Sequence, residues 1–206
     1  MSKHGLFLAF EGGEGAGKST QTRMLRDWLT SIGQQVQVTC EPGGTDIGRS
    51  LRDILLGHHT GSLAPRTEAL LYAADRAEHV ASVIRPHLDR GYVVITDRYI
   101  DSSLAYQGAG RDLAISEVAH VSHWATDHLL PDLTVLLDID PDVGLRRFDT
   151  PADRLEAEPL TFHRRVRQQF LDLAAAEPDR YAVVDATSAP NDVHQRVRDR
   201  VEVLLR

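Results

Sequence analysis

Short apolar runs alternate with longer amphipathic stretches along the whole chain. The apolar runs are continuous, which is typical of strands covered on both faces of a parallel sheet. Strands are predicted at residues 6–10, 36–39, 92–96, 133–139 and 181–184. Helices are predicted at residues 19–31, 47–56, 67–88, 116–126, 141–148, 162–176 and 191–205. This alternation predicts an α/β fold, a five-stranded parallel sheet with helices on both faces.

Residues at the ends of these elements support several boundaries. Asp140 can cap a helix that has Pro141 at its first position, and Gly33 follows the first predicted helix. No linker, block of like charge or internal repeat interrupts the 206 residues, so one domain is expected over 1–206. Ligands of such folds bind at the carboxyl ends of the strands, where the informative residues are therefore expected.

The charge balance argues against polymeric partners. The chain has 30 Asp and Glu against 23 Lys and Arg, a formal net charge of −7, and DNA or RNA binding needs clustered positive charge. The apolar run near the start is too short for a signal peptide or a membrane span, which predicts a cytoplasmic protein without membrane association. The single cysteine, Cys40, fits a reducing compartment and cannot form an internal disulfide.

A glycine-rich motif follows the first predicted strand and precedes the first helix. Residues 12–19 fit the phosphate-binding pattern G-x-x-x-x-G-K-[ST]. Glycines let the backbone N–H groups turn toward a phosphate at the positive end of the following helix. The residues expected to bind ATP are Gly12, Gly13, Glu14, Gly15, Ala16, Gly17, Lys18, Ser19 and Thr20.

Lysine is rare in this chain, and one lysine lies in the motif. Only two of the 23 Lys and Arg residues are lysines, Lys3 and Lys18. A compact ammonium at position 18 can contact the β- and γ-phosphate oxygens, a role in which arginine is not interchangeable. Because no lysine follows Lys18, the chain lacks the Asn-Lys-x-Asp motif with which a GTPase reads guanine.

Two oxygen ligands are candidates for a magnesium ion bound with ATP. The hydroxyl of Ser19 is expected to contact Mg²⁺, together with an acidic residue at the end of a hydrophobic strand. Asp97 and Asp138 both end such strands. Asp97 is the preferred ligand because Arg98 follows it and adds a cation beside the phosphates, whereas Asp138 leads into a helix cap.

Further motifs follow one another along nearly the whole chain. They are Phe10-Glu11-Gly12, Glu41-Pro42-Gly43-Gly44-Thr45, Leu70-Leu71-Tyr72-Ala73-Ala74-Asp75-Arg76, Asp97-Arg98-Tyr99, Pro131-Asp132-Leu133-Thr134 and Asp153-Arg154-Leu155-Glu156 followed by Phe162-His163. With these motifs the chain resembles the thymidylate kinases of the bacterial type, which are P-loop nucleoside monophosphate kinases. The resemblance implies a P-loop kinase fold with a short lid, a homodimer, and nucleotide biosynthesis by transfer of the γ-phosphate of ATP to dTMP, with Mg²⁺, giving dTDP and ADP.

The resemblance also implies an acceptor site. Its residues are Glu14, Glu41, Arg52, Tyr72, Arg76, Arg98, Ser102, Ser103, Tyr106 and Gln107. Arg98 and Arg52 would bind the acceptor phosphate, since guanidinium groups suit phosphates. Arg76 would donate to the thymine O4, and Gln107 and Ser103 would pair with its N3 and O2 edge.

The remaining acceptor-site roles concern the sugar and the stacking of the base. Tyr72 would stack on the thymine where the family usually has Phe. Tyr106 would crowd the 2′ position of the sugar and so favour deoxyribose, and Glu14 would lie near the 3′-hydroxyl.

The cations of the transfer step are also implied by the resemblance. They are Lys18, Arg98, Arg147 and Arg154. Residues 147–157 resemble a lid that closes over ATP, in which Arg154 would reach the transferring phosphate and Arg147 would lie near the adenine or the phosphates. The family often has arginine where this chain has Cys40, so one cation is absent there. An acceptor phosphate that is already ionised needs no strong general base.

Two other functions are compatible with part of these motifs. The acceptor could be another nucleoside or deoxynucleoside monophosphate, and Arg76, Ser103 and Gln107 argue for thymine. Alternatively, the chain could be a P-loop nucleotide-binding module without kinase activity, which would leave the polar residues of the acceptor site without a role.

Overall fold

A five-stranded parallel sheet lies at the centre of the molecule. The computed structural model describes residues 5–57, 61–147 and 153–205. The strands are β1 (Leu6–Glu11), β2 (Val36–Cys40), β3 (Val93–Asp97), β4 (Leu133–Asp138) and β5 (Tyr181–Asp185). They are hydrogen-bonded in the order β2-β3-β1-β4-β5, and every pair is parallel. The predicted fold class is confirmed.

Helical segments connect these strands. They are α1 (Lys18–Ser31), α2 (Asp46–Leu56), α3 (Pro65–His79), α4 (Arg85–Leu88), α5 (Ile100–Ser103), α6 (Ile115–Thr126), α7 (Pro141–Leu145), α8 (Leu160–Ala176) and α9 (Pro190–Leu204). One π-helical segment, Val80–Ile84, joins α3 to α4, and another, Leu104–Gly110, continues α5. As predicted, Asp140 caps α7, its side chain accepting from the backbone N–H of Asp142. None of the helices in the described ranges is long and apolar enough to cross a membrane.

Both faces of the sheet are covered, which explains why its strands are apolar throughout. On one face, side chains of α1 and α9 pack on alternate strand residues: Leu25, Leu29, Val193, Val197 and Val201 on Leu8, Phe10, Ile95, Val135 and Leu137. On the other face, Val80, Ile84 and Leu104 pack on Phe7, Ala9 and Val94. The two apolar layers cover β1, which lies in the middle of the sheet.

Three helical regions differ from the sequence-based prediction. Residues 100–110 form a helical segment that was not predicted, because Gly108 and Gly110 have low helix propensity and tertiary packing supplies the stability instead. The predicted helix at 67–88 widens into a π-helical turn just before Pro86, which lacks the N–H that a regular turn would need. The predicted helix at 141–148 ends at Leu145 as α7, and its last residue lies outside the described ranges.

The strand order determines where a ligand can bind. The chain runs from β1 to β2 and β3 on one side of β1, and then crosses to β4 and β5 on the other side. Loops that leave neighbouring strands in opposite directions open a crevice at the carboxyl ends of those strands. The loop after β1 therefore lies at the switch point of this sheet.

Candidate active site

A cleft of about 870 Å³ opens at the carboxyl ends of β1, β2 and β3. It brings together most of the residues predicted from the sequence: Glu14, Gly15, Ala16, Gly17, Lys18, Ser19, Thr20, Glu41, Arg52, Tyr72, Arg76, Asp97, Arg98, Ser102, Ser103, Tyr106, Gln107 and Arg147. Three predicted residues, Gly12, Gly13 and Arg154, are not among those that line it. Residues separated by more than a hundred positions thus share one concave surface.

The phosphate loop connects β1 to α1, and Lys18 lies folded into it. The Lys18 ammonium donates hydrogen bonds to the carbonyl oxygens of Gly12 and Gly13, each at 3.0 Å. Burial and the neighbouring Arg98 lower the pKa of Lys18. Gly17, the residue before α1, has no side chain with which to cap the helix, so the first turn can direct its N–H groups at an anion.

Gly144 in α7, outside the motif, packs closely against the backbone of the phosphate loop. Gly15 has φ +69°, and a Cβ on it would lie 2.2 Å from the carbonyl oxygen of Gly144 in α7. A Cβ on Gly144 would in turn lie 2.3 Å from the carbonyl oxygen of Glu14. Only glycines allow this backbone contact. The sequence analysis did not predict this role of Gly144. The one indication in the sequence is that a glycine lies inside a predicted helix.

Ser19 and Asp97 form a pair of oxygen ligands. The Ser19 hydroxyl donates to Asp97 Oδ2 at 3.3 Å. Asp138, the alternative carboxylate, instead accepts two hydrogen bonds from Arg167 in α8, at 2.7 and 3.0 Å. Within the described ranges, no group of three or more His, Cys, Asp or Glu could hold a metal ion. One hydroxyl and one carboxylate fit Mg²⁺, which commonly keeps waters and phosphate oxygens as its other ligands.

Arg98 forms the wall between the phosphate loop and the rest of the cleft. Its guanidinium donates to Glu14 Oε1 at 2.6 Å, to Ser102 Oγ at 3.1 Å and to the Tyr106 hydroxyl at 3.2 Å. The backbone of Arg98 has φ +72°, an uncommon conformation for a residue with a side chain and one that clusters at functional sites. The fold thus holds Arg98 in a strained position beside the loop.

Glu14 is kept ionised by this arrangement. Burial acts to raise the pKa of its carboxyl, but the charges of Arg98 and Lys18 and a hydrogen bond from Tyr106 together lower it to about 2. The Tyr106 hydroxyl lies 2.7 Å from Glu14 Oε1. The cleft therefore contains an anion surrounded by two cations before any ligand is present.

Glu11, the last residue of β1, ties the loop to the segment after β3. Its Oε1 accepts the backbone N–H groups of Tyr99 and Ser102, and its Oε2 accepts the Ser102 hydroxyl at 2.5 Å. Burial and the charge of Asp101 raise the pKa of Glu11 to about 8. Because Arg98 lies immediately before this anchor point, Glu11 helps to hold the Arg98 backbone in place.

Arg76 is buried in a polar network at the bottom of the cleft. Only 1% of the residue is exposed, and its Nε donates to Glu41 Oε2 at 2.7 Å. Its other nitrogens donate to Ser122 Oγ, Ser103 Oγ and the carbonyl oxygen of Tyr99. Several donors of the arginine predicted to read the base are therefore already bonded within the protein.

The segment after β2 brings further side chains to the cleft. Arg52 of α2 donates to the carbonyl oxygen of Pro42 at 2.8 Å, and Arg49, one helical turn earlier, lines the same cleft. Arg49 was not predicted as a site residue, although its spacing of three from Arg52 puts both on one helical face. Cys40 is only partly buried and lines the cleft.

The two arginines assigned to the lid lie in different places. Arg147 donates to the carbonyl oxygen of Gly15 at 2.6 Å and to that of Ala186 at 3.3 Å, so it bridges the phosphate loop and the loop after β5. Arg154 donates to Glu68 Oε2 at 2.5 Å and to the carbonyl oxygen of Leu55 at 3.0 Å. Of the lid predicted at 147–157, residues 148–152 lie outside the described ranges.

Fold and cleft together define a class of protein. A glycine-rich loop at the switch point of a parallel sheet leads into a helix that begins at Lys18. Asp97 and Arg98, at the carboxyl end of β3, face that loop. This is the arrangement of a P-loop nucleotide kinase. The chain belongs to the thymidylate kinase family, whose family model matches residues 10–197.

Similar proteins cover almost the whole chain. The thymidylate kinase of Clavibacter sepedonicus is 56% identical over 204 residues, which cover 98% of this chain and 96% of that protein. That of Leifsonia xyli subsp. xyli is 53% identical, with the same coverage. The crystal structure of thymidylate kinase from Ehrlichia chaffeensis has a TM-score of 0.79 at 33% identity and covers 98% of both chains.

Proposed function

We propose that this member of the thymidylate kinase family transfers the γ-phosphate of ATP to dTMP, giving dTDP and ADP, with Mg²⁺ as the cofactor. The observation that carries this proposal is the direct contact between the two halves of the cleft. Arg98, the predicted ligand of the acceptor phosphate, hydrogen-bonds to Glu14 and to the carbonyl oxygen of Gly12 in the phosphate loop. A donor phosphate on the loop and an acceptor phosphate on Arg98 would therefore be neighbours.

The transfer itself would depend on positioning and on neutralising charge. Lys18 would exchange its two backbone carbonyl partners for phosphate oxygens. Arg98 would replace some of its present hydrogen bonds with hydrogen bonds to the acceptor phosphate. Ser19 and Asp97 would hold Mg²⁺, which when bound neutralises negative charge on the donor phosphates. Arg147 bridges the loops after β1 and β5, a position that supports a contact with ATP.

Side chains farther along the cleft support a thymine-binding subsite. Tyr72 and Tyr106 are buried aromatic residues that line it and offer a ring for stacking and a barrier near the sugar. Gln107 and Ser103 contribute polar groups at the same end. Arg52 and Arg49 also line the cleft and add positive charge to it, although no arginine stands at position 40.

The acceptor can be identified by a panel of monophosphates. Incubation with Mg·ATP and dTMP is expected to release ADP with kcat/KM at least about tenfold higher than with dCMP, dGMP or dAMP, since the subsite pairs with one base edge. Initial rates of ADP release measure this. A preference for dCMP or dGMP would overturn the thymidylate assignment, and ATP hydrolysis that no acceptor stimulates would favour the non-catalytic module.

We also propose that the chain forms a homodimer through α3 and α6. Leu70 is 59% exposed on α3 and lies beside a groove of about 240 Å³ between these helices, and Trp124 on α6 is 79% exposed. The groove is lined by Arg66, Ala69, Leu70, Leu113, Glu117, Val118, Val121 and Ser122. A protruding apolar side chain next to an apolar groove is self-complementary, as a two-fold interface requires.

Substitution of Leu70 tests this interface. Leu70→Glu is expected to raise the dimer dissociation constant at least roughly tenfold, because it buries a charge in an apolar contact. Sedimentation velocity over a range of concentrations measures it. Val203→Glu, which alters an equally exposed apolar residue on α9, serves as the matched control. A wild-type chain that stays monomeric at every concentration would contradict the proposal.

The proposal also includes a lid at residues 147–157 and a cytoplasmic location. Within the described part of the lid, Asp153, Leu155 and Glu156 line the cleft with Arg147, which supports a cover over the nucleotide. A free cysteine and nucleotide substrates fit a protein of the reducing cytoplasm. The whole chain, 1–206, would then act as one kinase domain.

A further inference from the structure

A buried carboxylate lies directly behind Gln107, outside the lining of the cleft. Glu68 of α3 is 1% exposed, and its Oε1 accepts a hydrogen bond from Gln107 Nε2 at 2.9 Å. Gln107 is itself 1% exposed and lines the cleft. The Gln107 amide therefore links Glu68, which does not line the cleft, to the space that a base would occupy.

Glu68 is held in the ionised form by two arginines. Arg111 donates to both of its oxygens, at 3.2 and 3.3 Å, and Arg154 donates to Oε2 at 2.5 Å. Burial acts to raise the pKa of Glu68, but hydrogen bonds from Gln107, Arg111 and Arg154 outweigh it and lower that pKa. An ionised carboxylate accepts hydrogen bonds and cannot donate them.

This restriction determines the orientation of the Gln107 amide. The two ends of an amide differ in that the nitrogen donates and the oxygen accepts, and their assignment follows from the surrounding network. A carboxylate at one end requires the nitrogen there, because a carbonyl oxygen facing Glu68 would be repelled. Within the described ranges, no residue donates a hydrogen bond to Gln107 Oε1, so this oxygen is available to a ligand.

We propose that Glu68 is a positioning residue that fixes Gln107 with its carbonyl oxygen available to the base, and that it thereby selects pyrimidines with an N3–H donor. Thymine and uracil carry a hydrogen on N3, whereas N3 of neutral cytosine is an acceptor. This inference rests on the proposed function, and it assigns the discrimination against cytosine to a side chain that does not line the cleft. Arg76 supplies less of that discrimination because most of its N–H donors already bond to protein groups.

The test is the ratio of kcat/KM for dTMP to kcat/KM for dCMP in Glu68→Gln. A glutamine at position 68 can donate as well as accept, so the Gln107 amide can turn and offer its nitrogen to cytosine N3. The ratio is expected to fall at least about tenfold, the effect of exchanging a favourable hydrogen bond for an unpaired one. Both substrates are measured on one preparation, so partial unfolding cancels from the ratio.

A matched control separates amide orientation from general disturbance of the ion-pair network. Glu158 accepts a hydrogen bond from Arg111 at 2.5 Å, so Glu158→Gln also removes a carboxylate partner of Arg111 while Glu68 keeps its bond to Gln107. Its ratio is expected to match the wild type. A Glu68→Gln ratio within twofold of the wild type, or an equal fall in both variants, would overturn the proposal.

A swapped variant provides a second, independent readout. In Glu68→Gln combined with Gln107→Glu, the group that can only accept hydrogen bonds moves to position 107, so a base with an N3–H donor should again be preferred. The ratio of kcat/KM for dTMP to kcat/KM for dCMP should therefore return most of the way to the wild-type value. A swap with a ratio as low as that of Glu68→Gln would contradict the proposal. A wild-type enzyme without activity on dTMP would instead disprove the proposed function, so the two failures are distinguishable.

Discussion

Lys18→Met is expected to lower kcat for dTMP phosphorylation by at least roughly 10³-fold, the scale of losing a cation that stabilises a transferring phosphate. Lys18 is only 8% exposed, and its ammonium lies between the carbonyl oxygens of Gly12 and Gly13. Met keeps the length of the side chain and removes its charge. ADP release in the presence of dTMP measures the loss.

Two further variants make this result specific. Lys18→Arg keeps the charge, yet it should also be severely impaired, because the planar guanidinium is too large for a space that the loop backbone closes around an ammonium. Lys3→Met removes the one other lysine of the chain and should retain full activity. A Lys18→Met enzyme with more than about a tenth of wild-type kcat would exclude a phosphate-stabilising role for this residue.

Arg98→Ala is expected to reduce kcat/KM for dTMP by roughly 10³-fold or more, while the Kd for ATP changes much less. The guanidinium would no longer bind the acceptor phosphate, and Glu14 would lose its partner at 2.6 Å. Without Arg98 the pKa of Glu14, now about 2, should rise because burial then acts with less opposition. Steady-state kinetics and calorimetric titration with each nucleotide separate the two effects.

Arg167→Ala is the matched control for Arg98→Ala. Arg167, like Arg98, forms an ion pair with a carboxylate, in this case Asp138 at the end of β4, but it does not line the cleft. Its removal should change kcat/KM little, although it disrupts a two-bond ion pair. Equal losses in the two variants would mean that Arg98 acts through the stability of the fold rather than through the acceptor phosphate.

Much of the fold was predictable because its signals are local. Each of the five predicted strands is present within one residue of its predicted ends, since a continuous apolar run has few alternatives to a buried strand. The helical segment at 100–110 was not predictable in this way. Its glycines oppose a helix, and only burial against α6 and α8 stabilises it.

The part of the candidate site that lies within the glycine-rich motif was predictable from the sequence. Residues 12–19 match a phosphate-binding motif that depends on backbone geometry, which glycines and the start of a helix determine within a few positions. Glu68 and Gly144 carried no comparable signal. The first acts through Gln107, 39 positions away, and the second through the backbone of a loop that lies far from it in sequence.

The sequence by itself determined the parallel α/β fold, the phosphate loop and the class of chemistry, because hydrophobic period, glycine positions and a rare lysine are all local properties. Only the tertiary structure decided which arginine pairs with which carboxylate. Arg98 pairs with Glu14 across 84 positions and Arg154 with Glu68 across 86. A buried cation requires a partner, but the strand order and helix packing choose it from the many acidic residues in the chain.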